Sequence, residues 1–260
     1  MKQSNLFLIC FLFISTLLSC SETESGPKVI AHRGYWKTEG SAQNSIRSLE
    51  LANEINAFGS EFDVHLTSDD VLIVFHDKKI DSLHLQKTPY AELKDIALKN
   101  GEKIPTLEQY LDRAKSLKNS KLIFELKSHD DPARELEAAK RSVEMINEKG
   151  LTKQTEYIAF SLEAAKELHR LSPETPVYYL NGDLSPKELK ELGFTGLDYS
   201  YNVMSKNPNW FKEAKDLGLK INVWTVNKPE RMKEMIEAGA DFITTDEPEL
   251  LQQVIREYHK

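Results

Sequence analysis

From Val29 onward, short runs of β-branched and aromatic residues alternate with longer runs in which apolar residues recur at helical spacing. The strand-like runs, in chain order, are VIAHRG, SEFDVHL with VLIVFHD, KLIFELK, EYIAF, PVYYLN, GLDYSYN, KINVWTV and DFITTD. Each is followed by a helical run, and strands that alternate with helices favour parallel β-structure. Eight such units in about 230 residues predict a single (β/α)8 TIM barrel. A doubly wound open sheet is the alternative, but no GxGxxG motif or P-loop follows any strand.

The second unit carries an extra strand. Residues 60–77 have the pattern of two strands around a tight turn at Ser68-Asp69-Asp70, so we expect a small β-hairpin insertion after strand 2. In the first of these strands, apolar and polar residues alternate. The apolar positions are Phe62, Val64 and Leu66, and the polar positions are Glu61, Asp63 and His65. Successive side chains of a strand point to opposite faces. The apolar face is expected to meet the helices, and the polar face to point into the barrel near its C-terminal mouth, where barrel active sites lie.

The N-terminus has the pattern of an export signal. Residues 6–18 are almost wholly apolar, follow Lys2, and end at LLSC. The run is too short to cross a bilayer comfortably, which favours a signal peptide over residues 1–19. Its end resembles a lipobox, so we predict a bacterial lipoprotein acylated at Cys20, with residues 20–28 as a tether. An ordinary secretory signal cleaved nearby is the alternative. The expected location is the periplasmic side or the surface of the outer membrane.

Composition narrows the chemistry of the domain at 29–260. The two cysteines are Cys10, inside the leader, and Cys20, at its end, so the mature domain has no thiol for a disulfide, a zinc site or a nucleophile. The formal charge is −7, and loss of Lys2 with the leader makes it one unit more negative. No basic cluster is present, which argues against a nucleic-acid partner. Contact with a membrane is expected only through the anchor, and the pattern leaves the oligomeric state open.

Charged residues recur where the strand-like runs end. They are His32, Arg33, Glu61, Asp63, His76, Asp77, Glu125 and Lys127. Carboxylates that share a cavity stay ionised only with a cation between them, and all-oxygen ligands suit Mg²⁺ or Ca²⁺. An arginine and a lysine beside that cation suit a phosphate, and two imidazoles can supply a general base and a general acid. This combination favours metal-assisted cleavage of a phosphodiester.

Six motifs, in order, resemble the signature of the glycerophosphodiester phosphodiesterase family. They are HRG at 32–34, EFDVHLTSDD at 61–70, VFHD at 74–77, FELK at 124–127, VWTVN at 223–227 and ITTDEP at 243–248. The resemblance implies a (β/α)8 barrel that hydrolyses small-molecule glycerophosphodiesters, such as glycerophosphocholine and glycerophosphoethanolamine, to sn-glycerol 3-phosphate and an alcohol. It implies one divalent cation, Mg²⁺ or Ca²⁺. By position it implies metal ligands at Glu61, Asp63 and Glu125, a catalytic pair at His32 and His76, phosphate-binding residues at Arg33 and Lys127, and an aromatic pocket residue at Trp224.

One position departs from the family pattern. Where the family commonly has Glu-Asn-Thr, this chain has Gln43-Asn44-Ser45. Gln43 keeps the hydrogen-bonding shape of a glutamate without its charge. Metal affinity should fall if this position supports the metal electrostatically, and little should change if it only orients a neighbour.

Several residues have a simpler structural interpretation. Glu125 could merely pair with Lys127, and Trp224 could belong to the core rather than to the pocket wall. His65 has the parity of an inward-facing residue, but a histidine at the rim, or one that supports the site from behind, is as likely as a functional one. Asp77 could support His76 or form a turn. The remaining histidines are expected to be solvated, namely His84, His129, His169 and His259.

Two alternative functions stay open at this point. The same site could act on another phosphodiester, such as a lysophospholipid, a glycerophosphoinositol or a teichoic-acid-like polymer. The chain could also be a lipoprotein that binds phosphodiesters without cleaving them. A pure binder needs no acid–base pair, so the two histidines favour an enzyme.

Overall fold

The computed structural model describes residues 26–258, so the leader, Cys20 and His259 lie outside the described residues. The strands are β1 (Lys28–Ala31), β2 (Gly59–Leu66), β3 (Leu72–Val74), β4 (Lys79–Ile80), β5 (Leu83–His84), β6 (Lys121–Leu126), β7 (Thr155–Ala159), β8 (Val177–Tyr179), β9 (Gly196–Ser200), β10 (Lys220–Trp224) and β11 (Phe242–Thr245). The helices are α1 (Ile46–Glu54), α2 (Tyr90–Leu93), α3 (Leu107–Ala114), α4 (Pro132–Glu148), α5 (Leu162–Leu171), α6 (Pro186–Glu191), α7 (Tyr201–Lys206), α8 (Asn209–Asp216), α9 (Pro229–Ala238) and α10 (Pro248–Tyr258).

Eight of the strands form a closed parallel barrel in the order β1, β2, β6, β7, β8, β9, β10, β11. The barrel closes through β1, which pairs with β11 on one side and with β2 on the other. The (β/α)8 barrel predicted from the eight units is therefore confirmed, and the open sheet is excluded. All eight carboxyl ends lie at one mouth, where side chains from distant parts of the sequence meet.

The predicted insertion after the second strand is also present. β3 runs antiparallel to β2, with Val64 opposite Val74, and Asp70 in the turn adopts a φ of 69°. A second hairpin, β4 with β5, follows before the chain returns to the barrel. This segment packs around its own apolar cluster, which contains Ala42, Ile73, Leu85, Leu93, Leu98 and Ile104.

The core has two layers, one outside the barrel wall and one inside it. Phe62, Val64 and Leu66 are buried in the outer layer against the helices, as their alternation predicts. A smaller inner cluster lies inside the barrel, with Ile30, Ile123, Ile158, Tyr178, Leu180 and Phe242 at its centre. Ile123 and Ile158 lie beside Glu61 and Glu125 in the strand registers, so this apolar interior adjoins the carboxylates.

Local signals explain where the helices begin. The Ser161 side chain accepts a hydrogen bond from the Ala164 amide and caps α5. Thr106 and Gln109 form a capping box at the start of α3. β9 is shorter than the sequence predicts. Tyr201 and Asn202, which were expected to belong to the strand, are the first residues of the short helix α7. Among residues 26–258, no helix combines the length and the apolar character needed to cross a membrane.

Candidate active site

The loop after β1 brings His32 and Arg33 to the mouth through an unusual backbone path. Arg33 and Gly34 are consecutive left-handed residues, with φ values of 57° and 74°. Any side chain at Gly34 would collide with Ser48, whose Cβ and Oγ occupy the space that an added Cβ would need. This turn lets the Arg33 amide donate a 2.7 Å hydrogen bond to Oε2 of Glu61. The loop is therefore joined directly to the carboxylates of the barrel.

Three carboxylates from two adjacent strands form the centre of the site. Glu61, Asp63 and Glu125 each place a carboxylate oxygen within 4.8 Å of the others, and all three are buried. Burial raises the pKa of Glu61, and the charges of its two acidic neighbours raise it further. Burial, followed by the charge of Asp63, raises the pKa of Glu125 to about 7. Oε1 of Glu61 is buried without a hydrogen-bond partner. A divalent cation fits this donor set, because it would neutralise the cluster and bind the free oxygen.

Asp63 is held in its ionised form. Burial opposes ionisation, but Lys127, His76, Asn44 and Arg33 outweigh it and hold the pKa of Asp63 well below its usual range. The Asn44 side chain donates to Oδ2 of Asp63 at 2.8 Å and accepts from the Asp63 amide at 3.1 Å. This double contact fixes the orientation of the carboxylate. No role was predicted for Asn44 from the sequence, although it is the neighbour of Gln43 in the segment that departs from the family pattern.

The two basic residues lie against the carboxylates. The Lys127 ammonium is 2.7 Å from Oε1 of Glu125 and 3.1 Å from Oδ1 of Asp63. Burial opposes its charge, but these carboxylates raise the pKa of Lys127, which therefore stays protonated. The Glu125–Lys127 pair allowed by the sequence exists, and it lies inside the carboxylate cluster rather than apart from it.

Gln43 contacts the arginine. Its Oε1 accepts a 2.8 Å hydrogen bond from Nη1 of Arg33. The Arg33 Nε is buried without a hydrogen bond, 4.0 Å from Oδ2 of Asp63. The neutral amide of Gln43 thus holds one corner of the guanidinium without neutralising its charge. Of the two roles considered for Gln43, the observed contact is the one that orients a neighbour.

His32 is supported by a carboxylate at the end of β11. Its Nδ1 lies 2.8 Å from Oδ1 of Asp246, which also accepts from Nε1 of Trp36, while Oδ2 accepts from Asn227. Burial opposes ionisation of Asp246, but these hydrogen bonds and the charge of His32 lower its pKa to about 2. An ionised carboxylate can only accept, so Nδ1 of His32 carries the proton. Nε2 is then free for chemistry. Asp246 lies within the ITTDEP motif, but no role was predicted for it from the sequence.

His76 is held from two sides. Its Nδ1 lies 2.6 Å from Oδ1 of the exposed Asp77. Of the two roles considered for Asp77, a support for His76 or a turn former, this contact corresponds to the first. Its backbone carbonyl accepts from Nε2 of His65 at 3.3 Å, and Nδ1 of His65 contacts the Gln86 amide at 3.1 Å. Burial lowers the pKa of His65 to about 3, so this ring is neutral. Burial also lowers the pKa of His76. His65 therefore lies beneath His76 rather than at the rim.

The expectation that His129 is solvated is wrong. Only 9% of its surface is exposed. Its Nε2 accepts from the Leu66 amide at 3.1 Å, and its Nδ1 bonds the Lys127 carbonyl at 2.7 Å. His129 thereby ties the carboxyl ends of β2 and β6 together and supports the segment that carries Lys127.

An aromatic wall borders the site. Trp224 is half-buried at the end of β10, and its Nε1 donates to the Asp198 carbonyl at 2.8 Å. Its ring meets Phe160 edge-on at 5.6 Å, and the Lys127 ammonium lies 6.0 Å from the Phe160 centroid. This position favours the pocket wall over the core for Trp224. Val226, two residues further along the chain, is buried in the outer layer instead.

The chain matches known proteins over most of its length. The model of the glycerophosphoryl diester phosphodiesterase family matches residues 32–250. A crystal structure of a glycerophosphodiester phosphodiesterase from Parabacteroides distasonis is 61% identical, with a TM-score of 0.89, over 91% of this chain and 99% of that one. A glycerophosphodiester phosphodiesterase from Caldanaerobacter subterraneus subsp. tengcongensis is 28% identical over 88% of this chain and 97% of its own length.

A third relative is a phosphodiesterase of Oleispira antarctica, solved in complex with its product sn-glycerol 3-phosphate. It is 27% identical, with a TM-score of 0.76, over 89% of this chain and 97% of that one. The family resemblance carried by the six sequence motifs is confirmed. The chain belongs to the glycerophosphoryl diester phosphodiesterase family and is a phosphoric diester hydrolase.

Proposed function

We propose that the protein hydrolyses glycerophosphodiesters, such as glycerophosphocholine and glycerophosphoethanolamine, to sn-glycerol 3-phosphate and an alcohol. The observation that carries this proposal is the meeting, at one mouth, of a carboxylate cluster that fits a cation, two basic side chains and two histidines. The Oleispira relative with bound sn-glycerol 3-phosphate supports the glycerol phosphate half of the substrate.

Glu61, Asp63 and Glu125 would hold one divalent cation, Mg²⁺ or Ca²⁺. When bound, the cation polarises the phosphoryl oxygens and stabilises the charge that develops on them. Lys127 and the free donors of Arg33 then bind the phosphate from the protein side. Trp224, whose ring packs edge-on against Phe160, would form one wall of the pocket.

The proton transfers fall to His32 and His76. In each ring a carboxylate accepts from Nδ1, so that Nε2 faces the chemistry. One imidazole removes the proton of the attacking hydroxyl, and the other protonates the leaving oxygen. We propose that the substrate's own glycerol hydroxyl attacks first and forms a cyclic phosphate that water opens. Rapid-quench phosphorus NMR tests this step, and persistent absence of the cyclic species would count against it.

We further propose that residues 1–19 are removed and that Cys20 carries a lipid anchor, so that the domain is exported and held at a membrane. The lipobox-like LLSC and the short polar segment after it support this proposal. Metabolic labelling with a radioactive fatty acid, compared between the native chain and Cys20→Ala, tests it. Equal labelling of both chains would refute it.

The activity is tested with the domain from Ser21 onward on glycerophosphocholine and glycerophosphoethanolamine, with Mg²⁺, with Ca²⁺ and with EDTA. Metal-dependent release of glycerol 3-phosphate that disappears in Asp63→Asn and in His32→Ala would support the proposal. The matched controls are Asp112→Asn and His169→Ala, which change the same residue types on α3 and α5 and should retain activity. Metal-independent turnover, or turnover by both site variants, would refute it. Binding without turnover would favour the non-catalytic alternative.

A further inference from the structure

The point where the described chain enters the barrel and the active site lie at opposite ends of the barrel. β1 enters the barrel at Lys28 and ends at Ala31, and His32 follows directly at the mouth. Asp63 and Glu125 lie side by side in the register of β2 and β6, and Lys127 follows β6 directly. Trp224 is the last residue of β10. The opposite end is closed by Phe58 and Phe242, whose rings are 5.1 Å apart, with the Lys28 ammonium 4.5 Å from the Phe58 centroid.

The tether between the predicted anchor and the barrel is short. Cys20 and Lys28 are eight residues apart in the sequence. Eight residues reach at most about 28 Å even when fully extended. Lys28, at the N-terminal end of β1, must therefore remain within about 28 Å of the acylated cysteine, and hence of the bilayer surface.

Turning the mouth onto that bilayer would require a longer path. α4 has 17 residues and lies along the outside of the barrel, which gives the wall a height of about 25 Å. β1 lies inside the ring of helices, so the tether would first have to pass under a layer roughly 10 Å thick. The path from the N-terminal end of β1, around the helix layer and along the barrel wall to the mouth, is thus at least about 35 Å, without the mouth loops. This is more than the tether can span.

We propose that the anchored enzyme faces away from its own membrane and takes water-dissolved, deacylated glycerophosphodiesters rather than lysophospholipids embedded in that membrane. This inference rests on the activity and the anchor proposed above. It selects one substrate class among those that the site alone leaves open. A lipid phosphate held at the bilayer surface cannot reach carboxylates that open toward the solution.

The orientation can be measured directly, because the mature chain has no cysteine other than Cys20. Glu39→Cys places a fluorophore on the mouth loop, and Glu174→Cys places one on the opposite end, between α5 and β8; both residues are exposed. The acylated full chain is reconstituted into dioleoylphosphatidylcholine vesicles that carry an energy acceptor on their headgroups. We expect strong energy transfer from position 174 and weak transfer from position 39. Equal transfer, or stronger transfer from position 39, would overturn the proposal.

A lengthened tether provides the matched control. Insertion of about 40 Gly/Ser residues after Ser25 gives a flexible segment whose typical reach exceeds the path to the mouth. The difference between the two labels should then shrink several-fold. A difference that persists with the long tether would show that the tether does not set the orientation.

Substrate assays separate this inference from the proposed activity. The acylated chain and the domain from Ser21 should have the same kcat/KM on glycerophosphocholine. Lysophosphatidylcholine placed in the enzyme's own vesicles should be cleaved no faster than in separate vesicles, and a tenfold advantage for shared vesicles would overturn the inference. Failure to cleave glycerophosphocholine in both forms would instead refute the proposed activity, whatever the labels report.

Discussion

Removing one carboxylate of the central cluster should stabilise the metal-free protein at neutral and alkaline pH. Glu125 is buried, and its pKa is raised from 4.5 to about 7 by burial and by the charge of Asp63. The folded, metal-free protein therefore holds this proton more tightly than the unfolded chain does. Glu125→Gln keeps the shape of the side chain and cannot lose a proton, so it isolates this contribution.

The size of the effect follows from the two pKa values. The stability that the protonated Glu125 contributes is fully present below pH 4.5, and it is lost as the pH rises through about 7. At about 1.4 kcal/mol per pH unit, a rise from 4.5 to about 7 makes the full loss about 3.5 kcal/mol. Glu61 adds in the same direction, because its pKa is also raised. A divalent cation should make the wild type more stable than Glu125→Gln. It binds the ionised cluster of the wild type and thereby stabilises the folded state.

Urea unfolding, followed by tryptophan fluorescence, measures this prediction in wild type and Glu125→Gln, with EDTA and with saturating Mg²⁺ or Ca²⁺. In EDTA the two proteins should have similar unfolding free energies at about pH 5, and the variant should be more stable by roughly 3 kcal/mol at about pH 8. With the cation the wild type should be the more stable protein at about pH 8. A wild type whose stability in EDTA has the same pH dependence as that of the variant would refute the reasoning.

Three further predictions concern groups that hold the site together. Asp246→Asn removes the ionised acceptor of the His32 Nδ1 proton. In steady-state assays kcat should therefore fall at least about 100-fold, while KM changes little. An unchanged kcat would contradict the role given to Asp246. Gln43→Glu places a carboxylate on Nη1 of Arg33, and the resulting ion pair should raise KM for the phosphodiester about tenfold with little effect on kcat. Gly34→Ala should lower the free energy of unfolding by about 2–4 kcal/mol in urea titrations, because the new Cβ meets Ser48 at a φ of 74°.

The sequence predicts the parts of the site that lie on regular strands. Strand side chains alternate, so the apolar positions Phe62 and Val64 require Glu61 and Asp63 to face inward. The same argument places Glu125, which lies beside Asp63 in the register of β2 and β6. Eight repeats of strand and helix then predict closure, and closure brings these residues to one mouth.

The supporting residues lie where that alternation ends. Asn44 and Asp246 come from loops, and their contacts with Asp63 and His32 depend on chain paths that no periodicity describes. His129 was expected to be solvated. Instead, both of its ring nitrogens form hydrogen bonds with backbone groups at the ends of two strands. The alternation of β10 likewise ends with the strand at Trp224, and Val226, two residues beyond it, is buried in the outer layer.

The two histidines of the proposed mechanism differ in how they are held. Asp246, the partner of His32, has a side chain only 15% exposed and accepts from two further groups, so water competes little for that hydrogen bond. Asp77, the partner of His76, is 71% exposed, and its contact is correspondingly weaker because water can replace it. His76 depends instead on its backbone, which the buried His65 holds from below. The barrel therefore fixes the ring of His32 through its side chain and fixes His76 through its main chain. The His76 side chain is also more exposed than that of His32, 33% against 19%, so we expect His76 to be the imidazole that exchanges protons with bulk water between turnovers.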